Sequence, residues 1–414
     1  MAGKKKDKKG RVLRPGEYQR KDGTYQYRWA DEYGKRHYIY NKSLDKLREE
    51  ENRIQVATIK GISTAHRTVK FIDFCCKWFE VKDGIKLSTM GQYLKAYKNH
   101  IKPYFDRKKL TDIKHSDLKR FYKYLRDEKQ LGEDSIHQIH TVIHQVFDLA
   151  AKDDIIASNP ADKAYAEIQK QAARKNKHRS ALTVAEQSEF FRYISNHPKF
   201  YRWEPLCTFL VATGLRAGEA TGLQWSDIDF ENGIIHIDHI ITRCTLPSLD
   251  DDTTINYNII QSPKSRKSAR CIPLMPQAKA ALERERLYQQ ESGQTCKSNI
   301  NGYNDFIFLN SRQGALQVAS VDYRIKCVVE AHNKDSEANE LLLPSMCSHI
   351  FRHTFSTRMT ENGMHPKALQ TIMGHENVDL TMNVYTDASM EYLRRELEQA
   401  NTTPSFTPFR QQSA

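Results

Sequence analysis

Four separated segments of this 414-residue chain hold side chains suited to gripping an anion. In the first, TGLRAGE, an apolar helix should end at Gly214 and Arg216 should follow at a glycine-flanked turn. Glu219 stands three residues on, where a carboxylate pairs with the guanidinium and orients it. In the second, QSPKSRKSARCIPL, two strand-like pieces flank Lys264, Arg266 and Lys267. This reads as a basic β-hairpin tip, from which a lysine can reach a phosphate or a leaving oxygen. In the third, SHIFRHTFSTRM, His349 and Arg352 share one face of a helix at i,i+3, with His353 beside them and facing elsewhere. Two groups able to carry positive charge on one face make an anion site. A metal would want more His or carboxylate ligands at i,i+4, so none is expected. In the fourth, IMGHENVDLTMNVYTDAS, His375 opens a turn after Gly374 and Tyr385 lies near the end of a helical stretch.

These side chains need elements to carry them. From Ala181 the chain reads as mixed α/β. Thr183 followed by Glu186 is a capping-box pattern, and a second helix runs through EPLCTFLVATG. Short strands are expected around Gly233–His239, Ile255–Gln261, Arg270–Leu274 and Phe306–Leu309, and helices return from about Val318. Residues 70–170 carry apolar side chains at three-to-four spacing in four stretches, separated at Gly84, Pro103, Ser116 and Gly132 and closed by Pro160. That pattern predicts a compact four-helix domain. The stretch 169–180 is polar and basic, and is either laid along a phosphate backbone or simply an exposed linker. The expected division is a basic tail with a small sheet (1–65), a helical domain (66–168), the linker (169–180), a mainly helical α+β domain (181–400) and a flexible tail (401–414).

The charge balance agrees with an anionic partner. Lys and Arg number 64 against 51 Asp and Glu, a net of +13, with a pI near 9.2. A mean hydropathy of −0.71 and the lack of any apolar run of about 18 residues exclude a membrane span. No apolar stretch follows the cations of MAGKKKDKKG, so no signal peptide is expected. Eight cysteines without CxxC spacing read as reduced, mostly buried thiols of a cytoplasmic protein. Residues 1–60 hold 17 Lys or Arg against 9 Asp or Glu, a net of +8. The tail with Lys4, Lys5, Lys6, Lys8 and Lys9 is too charged to fold alone. Beyond it, turns at Lys21-Asp22-Gly23 and Tyr33-Gly34 bracket an alternating run, with Tyr25, Tyr27 and Trp29 on one side and Gln26 and Arg28 on the other. This predicts a three-stranded antiparallel sheet whose aromatic face is covered by a helix capped at Ser43. The other face presents Gln26 and Arg28, with Arg20, Lys21, Lys35 and Arg36 nearby. It is either an ordinary solvated basic face or a surface for a DNA major groove.

The order Arg, Lys, His-x-x-Arg, Gly-His, Tyr resembles the tyrosine recombinase (phage-type integrase) family. The resemblance places Arg216, Lys264, His349, Arg352, His375 and Tyr385 at the family's catalytic positions, with Lys267 an alternative to Lys264. Tyr392 lies beyond the motif in a charged helix and is rejected as nucleophile. RKDGTYQYRW with DEYGKRHYIY is similar to the N-terminal arm-binding sheet of conjugative-transposon integrases of the Tn916 type, and PKALQTIMGHENVDLTMNVYTDA to their C-terminal region.

The resemblance implies cutting and rejoining of DNA without hydrolysis, through a 3′-phosphotyrosyl link formed by Tyr385. The link conserves bond energy, so neither ATP nor another cofactor is implied. Arg216 and Arg352 would clamp the charge growing on the phosphate, with His375 as a further donor. His349 would take the tyrosine proton, or support the group that does, and Lys264 would protonate the departing 5′-oxygen. Implied partners are double-stranded DNA at core-type and arm-type sites, copies of the chain assembled on DNA as dimers and a tetramer, an excisionase and a host DNA-bending protein. The segment 389–400 would pack on its own domain or on a neighbouring copy. Rival readings are a resolvase or a type IB topoisomerase of the same chemistry, and a non-catalytic DNA-binding regulator. The N-terminal sheet argues against a simple resolvase, and the complete set of six residues argues against a mere binder.

Overall fold

Alternation decides the fate of Tyr25–Ala30. In a computed structural model of the protein this run is strand β2, the centre of an antiparallel sheet between β1 (Glu17–Gln19) and β3 (Arg36–Asn41). The structure describes residues 5–30, 34–59, 69–166, 181–249, 251–261, 269–337 and 341–375. The linker 169–180, Lys264, Arg266, Lys267, Tyr385, Tyr392, the segment 389–400 and the tail 401–414 lie outside the described residues. Contacts divide the chain into two units, Met1–Asn176 with Thr245–Ile255, and Lys177–Cys244 with Asn256–Ala414.

In the first unit, Tyr25 and Tyr27 are buried against Leu44, Leu47 and Ile54 of helix α1 (Leu44–Ile59), with Trp29 packed alongside. Strand pairing sets Tyr18, Gln26 and Tyr40 in one row of the opposite face, and Arg28 opposite Tyr38. The lysine-rich start, too charged to fold alone, is ordered from Lys5 by docking on the sheet. The buried carboxylate of Asp7 accepts hydrogen bonds from the backbone N–H groups of Lys9 (2.9 Å) and Arg11 (2.7 Å), from Arg11 Nε (2.9 Å) and from the Tyr25 hydroxyl (2.9 Å). One acid among five lysines therefore pins the segment to the sheet.

The helical part of this unit comprises α2 (Phe71–Val81), α3 (Leu87–Ala96), α4 (Lys102–Phe105), α5 (His115–Asp127) and α6 (Glu133–Lys152). Its core stacks Phe71 on Phe147 and sets Phe105 and Phe121 edge to face. Pro103 does not separate two helices as expected. The chain runs from α3 through a π turn (Tyr97–Ile101) directly into α4. The widened turn accommodates a residue that has no N–H to offer the preceding turn. Residues 245–255 belong to this unit as well: Leu249 packs against the helical core, and the Asp251 carbonyl accepts a hydrogen bond from Lys98.

The second unit begins with α7 (Val184–Asn196), capped by Thr183 and Glu186, whose side chains and backbone N–H groups bond reciprocally. Helix α8 (Glu204–Thr213) is flanked by α10 (Pro276–Ser292) and α12 (His349–Glu361). Between α8 and α10 lie the single turn α9 (Ala217–Ala220) and strands β4 (Ile228–Asp229), β5 (Ile234–Ile237), β6 (Ile240–Pro247), β7 (Thr254–Gln261) and β8 (Arg270–Pro273). Helices α11 (Val318–Asp335) and α13 (Pro366–Met373) complete the unit. The strands differ from the sequence reading in three ways. Strands β4 and β6 are additional. Phe306–Leu309 is not a strand: Phe306, Ile307 and Phe308 are all buried, so the run lacks the alternation of a ladder and makes only isolated bridges. Strands β7 and β8 do not form a hairpin around Lys264, because β7 pairs with β6 while β8 pairs with β5.

All eight cysteines are free thiols, and only Cys75, Cys207 and Cys244 are buried, fewer than expected. Among the described residues, no helix is long and apolar enough to cross a membrane. The Asp7 cluster gives a direct test of the N-terminal fold. In Asp7→Ala the amides of Lys9 and Arg11 should lose hydrogen-exchange protection while those of α1 keep theirs. Unchanged protection at Lys9 and Arg11 would mean that the carboxylate does not hold the segment.

Candidate active site

The site is built on the ends of helices. Helix α8 stops at Gly214, which takes a left-handed conformation (φ 65°). A Cβ there would lie 2.3 Å from the Phe355 ring, so no other residue fits. The freed Gly214 carbonyl accepts a hydrogen bond from Arg352 Nη1 at 2.8 Å. Two residues later Arg216 opens α9. Its backbone N–H and its Nη1 both donate to Glu219, at 2.9 and 2.8 Å, as the i,i+3 spacing predicts.

Helix α12 is fixed at its start by Asp322, whose Oδ1 accepts from the Ser348 N–H (2.8 Å) and hydroxyl (2.6 Å). His349 is exposed on the first turn, whereas Arg352 is only 3% exposed on the second. His353 does not face elsewhere. Its ring meets that of His349 edge-on at 4.8 Å, as i,i+4 neighbours on one helix can.

Helix α13 ends in the left-handed Gly374 (φ 61°), and His375 follows. The side chain of buried Gln370 donates to the His375 carbonyl at 3.2 Å, and the His375 N–H returns a bond to the Gln370 carbonyl. The last carbonyls of this helix are capped by arginines. Ile372 O accepts from Arg270 Nε (2.6 Å), Met373 O from Arg352 Nη2 (2.5 Å) and Gly374 O from Arg216 Nη2 (3.4 Å). Positive charge at a helix C-terminus also opposes the partial negative charge of the dipole.

Arg270 was not singled out by its sequence context. It is 4% exposed and reaches both oxygens of Glu219, at 3.2 and 3.1 Å. The available signal was the β8 alternation: Arg270 and Ile272 point inward, while Cys271 and Pro273 are exposed. A cation in phase with a buried isoleucine has to be paired. Gln370 gave no signal beyond its place on α13.

Electrostatics separate these groups. Burial would raise the carboxyl pKa of Glu219, but the guanidiniums of Arg270 and Arg216 outweigh it and hold it below the usual range. Burial, aided by Arg216 and Arg270, pulls Arg352 down to about 9, so it remains charged at neutral pH. Burial and then Arg352, Arg216 and Arg270 depress His375 to about 4, so it is neutral at pH 7 and offers one N–H. Arg216 is the open member, its side chain 39% exposed against 3% for Arg352. A cavity of about 360 Å³ opens beside it, lined also by Thr242, Arg243, Asn258 and Gln317. Arg216, Glu219, Arg352 and His375 thus converge on one cationic point, with His349 close enough to His375 to bear on its titration. Such a point can bind an oxyanion and stabilise charge growing on it.

On the N-terminal sheet, Arg20, Lys21, Arg28, Lys35 and Arg36 are exposed and Gln26 is half-buried. Tyr18, Tyr38 and Tyr40 share that face and were not anticipated, and Arg20 stacks over Tyr40 at 5.4 Å.

The sequence pattern of the phage integrase family matches residues 180–392, that of the DNA binding domain of Tn916 integrase matches 1–58, and that of the phage integrase N-terminal SAM-like domain matches 70–126. The chain belongs to the phage integrase family, and it is a tyrosine recombinase, an enzyme of site-specific DNA recombination. Within that family it resembles the Tn916-type integrases. The transposase from transposon Tn1545 of Streptococcus pneumoniae is 30% identical to it, over 97% of this chain and 98% of that one. The transposase from transposon Tn916 of Enterococcus faecalis is 29% identical over the same shares. Among solved structures, the Tn1549 transposon integrase in complex with a circular intermediate DNA superposes with a TM-score of 0.68 at 25% identity, covering 80% of this chain and 100% of that one. A lambda integrase dimer bound to a core site shares the fold, with a TM-score of 0.55 at 18% identity over 90% and 95% of the two chains.

The depressed pKa of His375 has a measurable sign. Below the ordinary value of 6.5 the unfolded chain takes up a proton that the folded site refuses until about 4. Stability from this group is therefore present above pH 6.5 and is lost as the pH falls towards 4. In His375→Gln the fall in Tm over this window, followed by calorimetry, should be shallower than in wild type. Parallel curves would show that His375 is not held neutral.

Proposed function

We propose that this chain excises and integrates a conjugative transposon, with Tyr385 as nucleophile. The observation that carries the reading is the convergence of Arg216, Arg352 and neutral His375 on one cationic point beside an open cavity. A scissile phosphate placed there receives the Arg216 fork from the open side, with Arg352 at the floor and the His375 N–H as a further donor. The Tyr385 oxygen attacks phosphorus, the bond to the 5′-oxygen breaks, and a 3′-phosphotyrosyl link remains. The tyrosine proton passes to His349 or to a group it supports, and Lys264, or Lys267 in its stead, protonates the leaving 5′-oxygen. A 5′-hydroxyl from another strand then reverses the step. Glu219 orients Arg216.

The proposed division of labour follows the five segments 1–65, 66–168, 169–180, 181–400 and 401–414. The sheet face with Gln26, Arg28, Arg20, Lys21, Lys35 and Arg36 binds arm-type DNA, and the helical and catalytic domains bind the core site. Joining two duplexes requires four cleavages, which supports a tetramer assembled on DNA. A chain that holds distant arm and core sites gains from effective concentration but needs bent DNA between them. That geometry supports a host bending protein and an excisionase as partners, in the bacterial cytoplasm where the element's DNA lies. The Tn1549 integrase, solved with circular intermediate DNA, supports the mobile-element substrate.

Two measurements test this reading. On a nicked suicide duplex carrying the element end, wild type should form an SDS-stable adduct and Tyr385→Phe none, with DNA binding retained. Adduct in the Phe variant would move the nucleophile elsewhere. Loss of an oxyanion donor in Arg352→Ala should slow adduct formation roughly 100- to 1,000-fold. For the sheet, Arg28→Ala should weaken arm-DNA binding and lower the log–log salt slope by about one unit. An unchanged slope would remove Arg28 from the phosphate contacts.

A further inference from the structure

Arg270 occupies a position that the reaction chemistry leaves unexplained. Its side chain is 4% exposed and each of its three nitrogens donates to a protein acceptor, Nε to Ile372 O and both Nη to Glu219, yet it carries a full charge into the floor of the site. Burying an ion is costly unless a partner compensates it. The partner is Glu219, itself 1% exposed, which Arg270 grips through both oxygens. The same carboxylate also holds Arg216. Glu219 is therefore shared between a buried cation and an open one.

The sharing has a consequence for the phosphate. A carboxylate that orients Arg216 by pairing with it one to one also cancels its charge, and a neutral pair attracts an oxyanion weakly. With Arg270 present, two guanidiniums face one carboxylate, and the triad keeps one positive charge. We propose that Arg270 is a positioning residue that takes up the charge of Glu219, leaving the carboxylate to orient Arg216 without neutralising it towards the scissile phosphate. The geometry fits this division. Arg270 Nε is anchored on Ile372 O, so its fork approaches Glu219 from the protein side, while Arg216 lines the cavity. The inference rests on the recombinase reading of the site.

Charge arithmetic makes it testable against a packing role. The triad carries one positive charge in wild type, none in R270M, two in E219Q and one again in the double variant E219Q/R270M. A Gln at 219 can still accept from the Arg216 N–H. Single-turnover adduct formation is measured with full-length protein at saturating concentration on the nicked suicide duplex, with Tm recorded for each variant. R270M should be slowed about 100-fold, the size of a lost transition-state donor. The double variant should recover at least about tenfold over R270M, a coupling expected of groups in one network. If Arg270 merely fills space and caps Ile372 O, adding E219Q removes a further contact and the double variant is no faster than R270M, which overturns the inference. Should R270M fail to fold, a folded and active double variant supports the charge role, and an unfolded or inactive one overturns it. No adduct from wild type would overturn the recombinase reading and this inference with it. Adduct from wild type without rescue in the double variant overturns the inference alone.

Discussion

The C-terminal end of helix α13 leaves carbonyls that the helix itself cannot satisfy. Arginines from three other segments fill them: Arg270 at Ile372, Arg352 at Met373 and Arg216 at Gly374. Each bond joins the α13 end to a different part of the catalytic unit: strand β8, helix α12 and the turn after α8. Of the three guanidiniums that cap the helix, Arg216 lines the open cavity, while Arg352 and Arg270 are buried. Their orientation is set by backbone dipoles before any substrate arrives, which is what preorganised stabilisation requires. The cost of holding three cations together is offset by Glu219, by these carbonyls and by the carbonyl of Gly214.

The N-terminal sheet solves a smaller problem in a related way. A segment dominated by lysines has little to bury, and its order comes from one carboxylate that takes up four donors. In both places an acid enclosed among cations fixes the geometry, and the cations left at the surface meet the solvent. The net charge of +13 is thus a remainder after the structural cations have been paired.

What could be seen in the sequence follows from the range of the interactions. Arg216 with Glu219, and His349 with Arg352, are neighbours on one turn, so helical spacing reveals them. The Thr183 and Gly214 boundaries are equally local. Arg270 stayed hidden because it adjoins the cations of the Lys264 segment and reads as more of the same charge, while its partners lie 51 and 102 residues away. The pairing of β8 with β5 was missed for a similar reason. Sequence order brings β7 and β8 together, but Ile272 finds its partner in Ile235, across two intervening strands. The run Phe306–Leu309 looks like a strand because it is apolar, and only enclosure on all sides distinguishes it. Tyr38 and Tyr40 alternate with His37 and Ile39 as a strand requires, but an aromatic in such a run is as readily assigned to the covered face, and only the pairing with Arg28 and Gln26 places them on the open one.

Gly374 carries two constraints at once. Its left-handed backbone disfavours any side chain, and a Cβ there would lie 2.8 Å from Arg270 Nη1. The glycine before His375 is thus shaped by a guanidinium more than a hundred residues earlier in the chain. The turn and the guanidinium both oppose a larger residue at 374, and a shorter cation at 270 would open space that the backbone turn still could not use. Position 374 is held to glycine by its own backbone, whatever cation stands at 270.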